Sequence, residues 1–201
     1  SDLSLNTDSA AEVRYDSDER RVVLLKGQAL FEVAKGHKEP FVVHAAGRRI
    51  VATGTAFDVR YDPNLLEVTM VEGRVLVYPS MTGGSGKVGG EEGLPLHAGE
   101  RLVVRAGRPA AVSGVDPKQT TSWTEGKLVF LGTSLEDAIA EVNRYSATKM
   151  SLADPRLADL RISGVFRTGQ PGEFGRAVAA IHPVAVRVNA DGTLSLTSIR
   201  D

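Results

Sequence analysis

Apolar and polar residues alternate with a period of two from about residue 11 to residue 120. In the clearest example, Phe57, Val59 and Tyr61 would share one face of a strand. Asp58 and Arg60 would then share the opposite, polar face. Short runs of this kind, separated by Gly, Pro and Asn/Asp turns, predict an all-β domain: an antiparallel sandwich, a barrel or a short β-solenoid. The predicted strands cover residues 21–26, 29–34, 41–44, 49–53, 56–61, 65–71, 74–78 and 101–105.

A glycine followed by a polar residue and then by an apolar run occurs four times. These glycines are Gly27, Gly73, Gly99 and Gly126. Glycine adopts a positive φ at little steric cost, as a tight turn before a strand requires. Their spacing is too uneven for a solenoid repeat, so the pattern predicts four similar turns.

The pattern changes to a helical spacing in the last third of the chain. Apolar residues three and four positions apart predict a helix over residues 135–147. Ser134, with Asp137 three residues later, would cap its start. A second helix is predicted over residues 172–181 and should end at the following His-Pro pair.

Extended segments flank both predicted helices, in the order β-α-β followed by β-α-β-β. We therefore predict two domains: an all-β domain over residues 1–121, and a small α+β module of paired β-α-β units over residues 122–201. Trp123, the only tryptophan, lies at the predicted boundary. We expect it to pack between the two domains.

The composition argues against several classes of site. The formal net charge is −1 over 201 residues, whereas nucleic-acid-binding domains carry a basic excess. The absence of cysteine excludes disulfides, thiolate nucleophiles and Cys-ligated metals. The four histidines show no metal-ligand spacing, and no serine-nucleophile motif is present. We predict no metal, no cofactor, no nucleic-acid partner and no enzymatic turnover.

Two glycine-containing segments are considered as sites of phosphate binding and of self-cleavage. Residues 84–89 match the phosphate-binding pattern G-x-G-x-x-G, but the residues that follow cannot start the helix that this pattern needs, so we interpret the segment as a loop. Gly54-Thr55 lies between two predicted strands. The threonine hydroxyl could attack the preceding carbonyl in an N-to-O acyl shift and cut the chain; an ordinary β-turn is the alternative.

Six sequence blocks resemble the FecR family of sigma-factor regulators, in the order that this family has. They read GQALFEVA (27–34), PFVV (40–43), ATGTAFDVR (52–60), VTMVEGRV (68–75), LHAGE (96–100) and WTEGKLVF (123–130). Residues 135–145 and 161–166 resemble the C-terminal segment of that family and also the secretin/TonB short N-terminal module. The first residues alternate like the middle of a strand, so we expect the β domain to lack its opening strands and the sequence to be part of a longer protein.

The resemblance implies a regulator without catalytic turnover. Such proteins cross the bacterial inner membrane once, through a helix that we expect to lie outside this sequence. A cytoplasmic domain, also expected outside it, controls an extracytoplasmic-function (ECF) sigma factor. The periplasmic part binds the N-terminal signalling domain of a TonB-dependent outer-membrane receptor. The chain would therefore be the periplasmic sensing part of such a regulator.

The resemblance also implies particular residues. Several relatives cut themselves at a Gly-Thr in the matching block, which strengthens the self-cleavage hypothesis for Gly54 and Thr55. Receptor signalling domains share the fold of the C-terminal module, so we expect contact through that module. Phe166, Arg167 and Phe174 are the candidate contact residues, because aromatic and Arg side chains anchor interfaces. The two phenylalanines could instead belong to the core.

Two alternatives come from other functional classes. A non-catalytic module that binds envelope polysaccharide or peptidoglycan would need an exposed aromatic groove, and aromatic residues make up only 5% of the sequence. A hydrolase on a β scaffold would need a convergent acid–base or metal cluster, which the spacing of residues does not indicate. The sensing part of a FecR-type regulator is favoured over both.

Overall fold

The computed structural model describes residues 1–15, 18–79 and 92–199. The chain divides into two compact units, Ser1–Thr121 and Ser122–Asp201. Strands dominate the first unit, and the second combines strands with helices. Among the described residues, none of the helices has the length and apolar character of a bilayer span.

The first unit contains, within its described residues, one sheet of eleven strands followed by a short helix. In chain order the elements are β1 (Asp2–Leu5), β2 (Ala10–Tyr15), β3 (Arg20–Glu32), β4 (Phe41–Ala45), β5 (Arg48–Ala52), β6 (Ala56–Asp62), β7 (Leu65–Glu72), β8 (Arg74–Tyr78), β9 (Leu94–His97), β10 (Glu100–Arg105), β11 (Ala111–Gly114) and α1 (Pro117–Thr121). Strands β3 and β4 run parallel, and the other pairs are antiparallel. The prediction of an all-β region is confirmed for this unit.

Strand β3, 13 residues long, belongs to both halves of the sheet. Its first half, from Arg20, pairs with β2 and β4, and its second half, up to Glu32, pairs with β1 and β6. Gly27 lies between the halves with a φ of +83°, and a Cβ there would overlap the Ser9 hydroxyl. The predicted turn at Gly27 is therefore wrong. Its positive φ bends the strand between two sets of partners without reversing the chain.

The strand order forces the sheet to curl. The order is β11-β10-β7-β6-β3-β4-β5-β8-β9, with β1 and β2 also beside β3. Strands β9 and β10 lie towards opposite ends of this order, yet a turn of only two residues joins them. Apolar side chains of both halves consequently meet in one core. In that core Phe31 stacks on Phe57 with ring centroids 5.1 Å apart and meets Phe41 edge-on at 6.0 Å.

Polar side chains are buried on the face of this sheet that points away from the apolar core. Asp58, predicted to lie on a polar outer face, is only 2% exposed. Its carboxylate accepts a hydrogen bond from the Gln28 side-chain amide at 3.0 Å. The Gln28 side-chain oxygen accepts another from the Asn6 amide at 2.8 Å. The loop between β1 and β2, which carries Asn6, therefore covers a position that period-two alternation assigns to solvent.

The second unit contains two sheets and two α-helices in its described residues. Its elements are β12 (Lys127–Ser134), α2 (Leu135–Arg144), β13 (Met150–Leu152), β14 (Arg161–Arg167), α3 (Pro171–Ile181), β15 (Val184–Val188) and β16 (Leu194–Ser198). Strands β12 and β14 form an antiparallel pair, and β13, β16 and β15 form a three-stranded sheet in that order. Helix α2 contacts strands of both sheets, and α3 contacts β15 and β16.

Helix α2 begins as predicted and ends earlier than predicted. The Ser134 hydroxyl accepts a hydrogen bond from the Asp137 backbone amide at 3.1 Å. The helix ends at Arg144 rather than at residue 147. Near that end, the Asn143 side chain donates to the Met150 carbonyl at 2.8 Å and accepts from its amide at 2.7 Å. These two hydrogen bonds direct the chain towards β13, so the helix does not continue beyond Arg144.

We expect Gln28→Ala to lower the free energy of unfolding by about 1 to 3 kcal/mol, because buried Asn6 and Asp58 would both lose a hydrogen-bond partner. Denaturant unfolding followed by circular dichroism measures the change. Arg105→Ala, at an exposed position of β10, is the control and should change the free energy by about 0.5 kcal/mol or less. Equal effects of the two substitutions would contradict a stabilising role for this polar chain.

Candidate functional site

Gly54 and Thr55 form the bend between β5 and β6. Gly54 has a φ of +99°, a conformation that residues with side chains rarely adopt. Thr55 is 7% exposed, and its backbone carbonyl accepts a hydrogen bond from the Val33 amide at 2.9 Å. The pair predicted from the sequence therefore lies in a constrained bend at the end of β3, in which Gly54 is partly buried and Thr55 is buried.

The Thr55 hydroxyl is buried without a hydrogen-bond partner among the described residues. Buried polar groups are nearly always paired, so an unpaired one calls for an explanation. Thr55 also lines a cleft of about 270 Å³, together with Glu32, Lys35 and Glu72. The bend thus combines a free hydroxyl, an adjacent peptide carbonyl and charged neighbours at the same cleft.

Gly73 packs directly against this bend. It lies between β7 and β8 with a φ of +84°, and a Cβ on it would come within 2.8 Å of the Thr55 methyl group. The same Cβ would lie 3.6 Å from the Gly54 carbonyl oxygen. The sequence predicts Gly73 only as a turn residue. Its contact with Thr55 arises because the β5–β6 and β7–β8 connections lie side by side in the fold.

His44 carries another buried side-chain nitrogen without a hydrogen bond in the described part of the chain. Its Nε2 lies 3.8 Å from a Glu19 carboxylate oxygen. Burial lowers the pKa of the imidazole, and Glu19 opposes that shift in part. Within residues 1–15, 18–79 and 92–199, no three His, Asp or Glu side chains meet in an arrangement that could hold a metal ion.

The predicted contact residues of the second unit differ in accessibility. Phe166 and Phe174 form an aromatic cluster with Phe130, with ring centroids 5.0 to 6.0 Å apart. Phe174 is 1% exposed and Phe166 is partly buried, so both side chains contribute to the core of this unit. Arg167 is exposed. Of the three candidates, only Arg167 presents its side chain fully to a partner.

Two further predicted features belong to other parts of the chain. Trp123 lies in a short 3-10 helix, Ser122–Glu125, and its indole is partly buried. Its packing between the two units stays a prediction. The glycine-rich segment at residues 84–89 lies outside the described residues.

The sheet of β12 and β14 has an apolar outer face that the sequence-based predictions did not include. Val129 pairs directly with Val165 across the two strands. Leu131 and Val165 are each 64% exposed. The available signal was the unbroken apolar run at residues 128–131, because alternate residues of a strand face opposite sides.

Comparison with known proteins relates the first part of the chain to a protein family. Residues 1–76 match the model of the family described as FecR protein. This match covers 76 of the 201 residues, so the similarity to the FecR family concerns the first part of the chain. No curated protein matches the sequence.

The fold of the chain resembles two crystal structures of a candidate anti-sigma factor from Parabacteroides distasonis ATCC 8503, at 1.65 and 2.50 Å resolution. The TM-scores are 0.77 and 0.76, and each match covers 98% of this chain and 89% of the other. The sequences are 22% identical, so the similarity concerns the fold.

The FecR region contains the whole bend and its neighbours. It extends from β1 into β8 and includes Gly54, Thr55 and Gly73, together with the charged residues of the cleft. The aromatic cluster and the outer face of the β12–β14 sheet lie beyond it. The two candidate sites therefore belong to different parts of the protein.

We expect Gly73→Ala to destabilise the first unit more than Gly36→Ala does. Both glycines have a φ of +84°, but a Cβ at Gly36 meets nothing within 4 Å. Gly36→Ala should cost about 1 kcal/mol for the backbone alone, and Gly73→Ala at least about 1 kcal/mol more, because it displaces Thr55. Denaturant unfolding measures both values. Equal destabilisation would show that the contact with Thr55 is loose.

Proposed function

We propose that this chain is the periplasmic sensing part of a sigma-factor regulator that is anchored in the inner membrane. It binds the N-terminal signalling domain of a TonB-dependent outer-membrane receptor and relays receptor occupancy to an ECF sigma factor. The observation that carries this proposal is the FecR match over residues 1–76. The anchoring helix and the part that contacts the sigma factor are proposed to lie outside the chain.

The fold supports the same assignment. The chain shares its fold, over 98% of its length, with a protein described as a candidate anti-sigma factor. We further propose that residues 122–201 are a secretin/TonB short N-terminal-like module of paired β-α-β units. Its helices and two small sheets agree with that arrangement. A function of this kind needs binding and no turnover.

We propose that the second unit provides the contact with the receptor domain. Arg167 is exposed and supplies a charged anchor. Phe166 and Phe174 support the same strand from the inner side, because their rings pack 5.0 Å apart beneath it. The contact therefore depends on Arg167 directly and on the two phenylalanines through the position of β14.

The polysaccharide-binding alternative has less support from the aromatic side chains. Such modules stack sugar rings on exposed aromatic residues in a groove. The six phenylalanines of the sequence all lie in described segments, and each is buried or partly buried. Tyr15, on β2, is 60% exposed but is a single ring rather than a groove.

The proposal predicts binding to a receptor signalling domain. Titration calorimetry of this chain with purified N-terminal signalling domains of the TonB-dependent receptors of the same bacterium should identify one that binds with a Kd of about 1 µM or tighter. A signalling domain from an unrelated bacterium is the control. Deletion of the gene should also change transcription from the ECF-dependent promoter. Failure of every domain to bind, with unchanged transcription, would refute the proposal.

We also propose that the chain cuts itself between Gly54 and Thr55. The Thr55 hydroxyl oxygen attacks the Gly54 carbonyl carbon, the C–N bond between them breaks, and the hydroxyl proton passes to the departing amine. The product is an ester between Gly54 and the Thr55 side chain. Water then hydrolyses the ester, leaving a carboxylate on Gly54 and a free amine and hydroxyl on Thr55. The buried unpaired hydroxyl and the positive φ of Gly54 support this step.

Self-cleavage predicts two fragments, residues 1–54 and 55–201, under denaturing conditions. In native buffer they should stay together, because β6 on one side of the cut pairs with β3 on the other. Mass spectrometry of the purified chain, with hydroxylamine added to trap the ester, measures the products. We expect Thr55→Ala to abolish cleavage, Thr55→Ser to retain it, and Thr53→Ala, at an exposed neighbour, to leave it unchanged. An intact parent chain would refute the step.

A further inference from the structure

We propose that the outer face of the β12–β14 sheet docks a protein surface with an apolar centre and an acidic rim. The identification of that surface with the receptor signalling domain rests on the proposed function. The face is defined by Lys127, Val129 and Leu131 of β12 and by Val165 and Arg167 of β14.

The centre of this face is apolar and lies opposite the core of its unit. Leu128 and Phe130 point inward and are each 5% exposed, and α2 contacts both strands. Val129, between them, points to the opposite side. Leu131 follows Phe130 where the register between β12 and β14 shifts, and its side chain is exposed. Leu131 and Val165 are each 64% exposed, although leucine and valine stabilise a protein chiefly by being buried. Association would bury this area without any change in the fold of the sheet.

The rim of the face is cationic, and two of its like charges stand opposite each other, which lowers the stability of the fold. Strands β12 and β14 contain three cationic residues and no Asp or Glu. Lys127 stands directly opposite Arg167 across the strand pair, and like charges in such positions are destabilising. Lys127 reaches Glu125 at 2.7 Å. Arg167 makes no ion pair within the described chain. A carboxylate on a partner would neutralise Arg167, which has no such partner in the described chain.

A protein partner fits the face better than a membrane does. Peripheral membrane surfaces insert Trp, Tyr or Phe and carry clusters of about four to eight Lys or Arg. This face presents Val and Leu side chains and far fewer cations.

The test measures binding of the receptor signalling domain to the whole chain and to four variants. Arg167→Glu and Leu131→Ser change the face, and Arg187→Glu and Ile181→Ser are matched exposed controls on β15 and at the end of α3. We expect the first two to weaken binding about tenfold or more and the controls to leave it within about twofold. Binding to the parent should also weaken between about 0.05 M and about 0.5 M NaCl.

Stability separates lost recognition from lost folding. The carboxylate introduced by Arg167→Glu faces Lys127, so the variant should have a Tm equal to or above that of the parent while it binds less tightly. A lower Tm together with weaker binding would overturn the assignment of Arg167 to recognition.

The outcomes distinguish this inference from the proposed function. If the parent binds and the Arg167 and Leu131 variants bind equally well, the docking face is wrong and the proposed function stands. If no receptor signalling domain binds the parent, the proposed function fails and this partner fails with it. Two other outcomes would overturn the choice of partner. If the chain sediments as a dimer and Leu131→Ser dissociates it, the partner is a second copy of the chain. If the chain binds vesicles of anionic lipid and Arg167→Glu abolishes that binding, the partner is a membrane.

Discussion

The first unit depends on one strand that keeps backbone hydrogen bonds with two different sets of neighbours. Strand β3 pairs with β2 and β4 before Gly27 and with β1 and β6 from Gly27 onward. A straight strand could not serve both sets, because the sheet must curl for its apolar faces to meet. The bend is possible because Gly27 adopts a φ of +83° and has no Cβ to overlap Ser9. The positions of the other strands follow from it.

The Gly54-Thr55 bend is a consequence of the same strand. The end of β3 leads to Val33, whose amide holds the Thr55 carbonyl, and the β7–β8 turn brings Gly73 against the Thr55 side chain. Three segments distant in sequence thus confine one peptide bond. Confinement removes the solvent partners that a surface threonine hydroxyl would have, which is why its oxygen is buried and unpaired.

In the second unit, the strand pair β12–β14 buries one face and leaves the other exposed. Its inner face is occupied by the cluster of Phe130, Phe166 and Phe174, while its outer face keeps apolar side chains and opposed cations exposed. Aromatic residues that suggest an interface in the sequence therefore form the core here. The exposed surface is built instead from smaller side chains between them, because successive side chains of a strand point to opposite faces and α2 packs against the inner one.

The sequence by itself determined most of the local elements and indicated a family for the first part of the chain. Alternation of apolar residues indicated strands β3 to β8 and β10, and helical spacing indicated α2, because each pattern requires only that one face be buried. The FecR motifs pointed to the family that the match over residues 1–76 supports. Tertiary structure alone decided that Gly27 bends a continuous strand, that Asp58 is covered by the Asn6 loop, and that Gly73 meets Thr55. Each of these depends on which distant segment lies alongside, and a repeating local pattern carries no information about that neighbour.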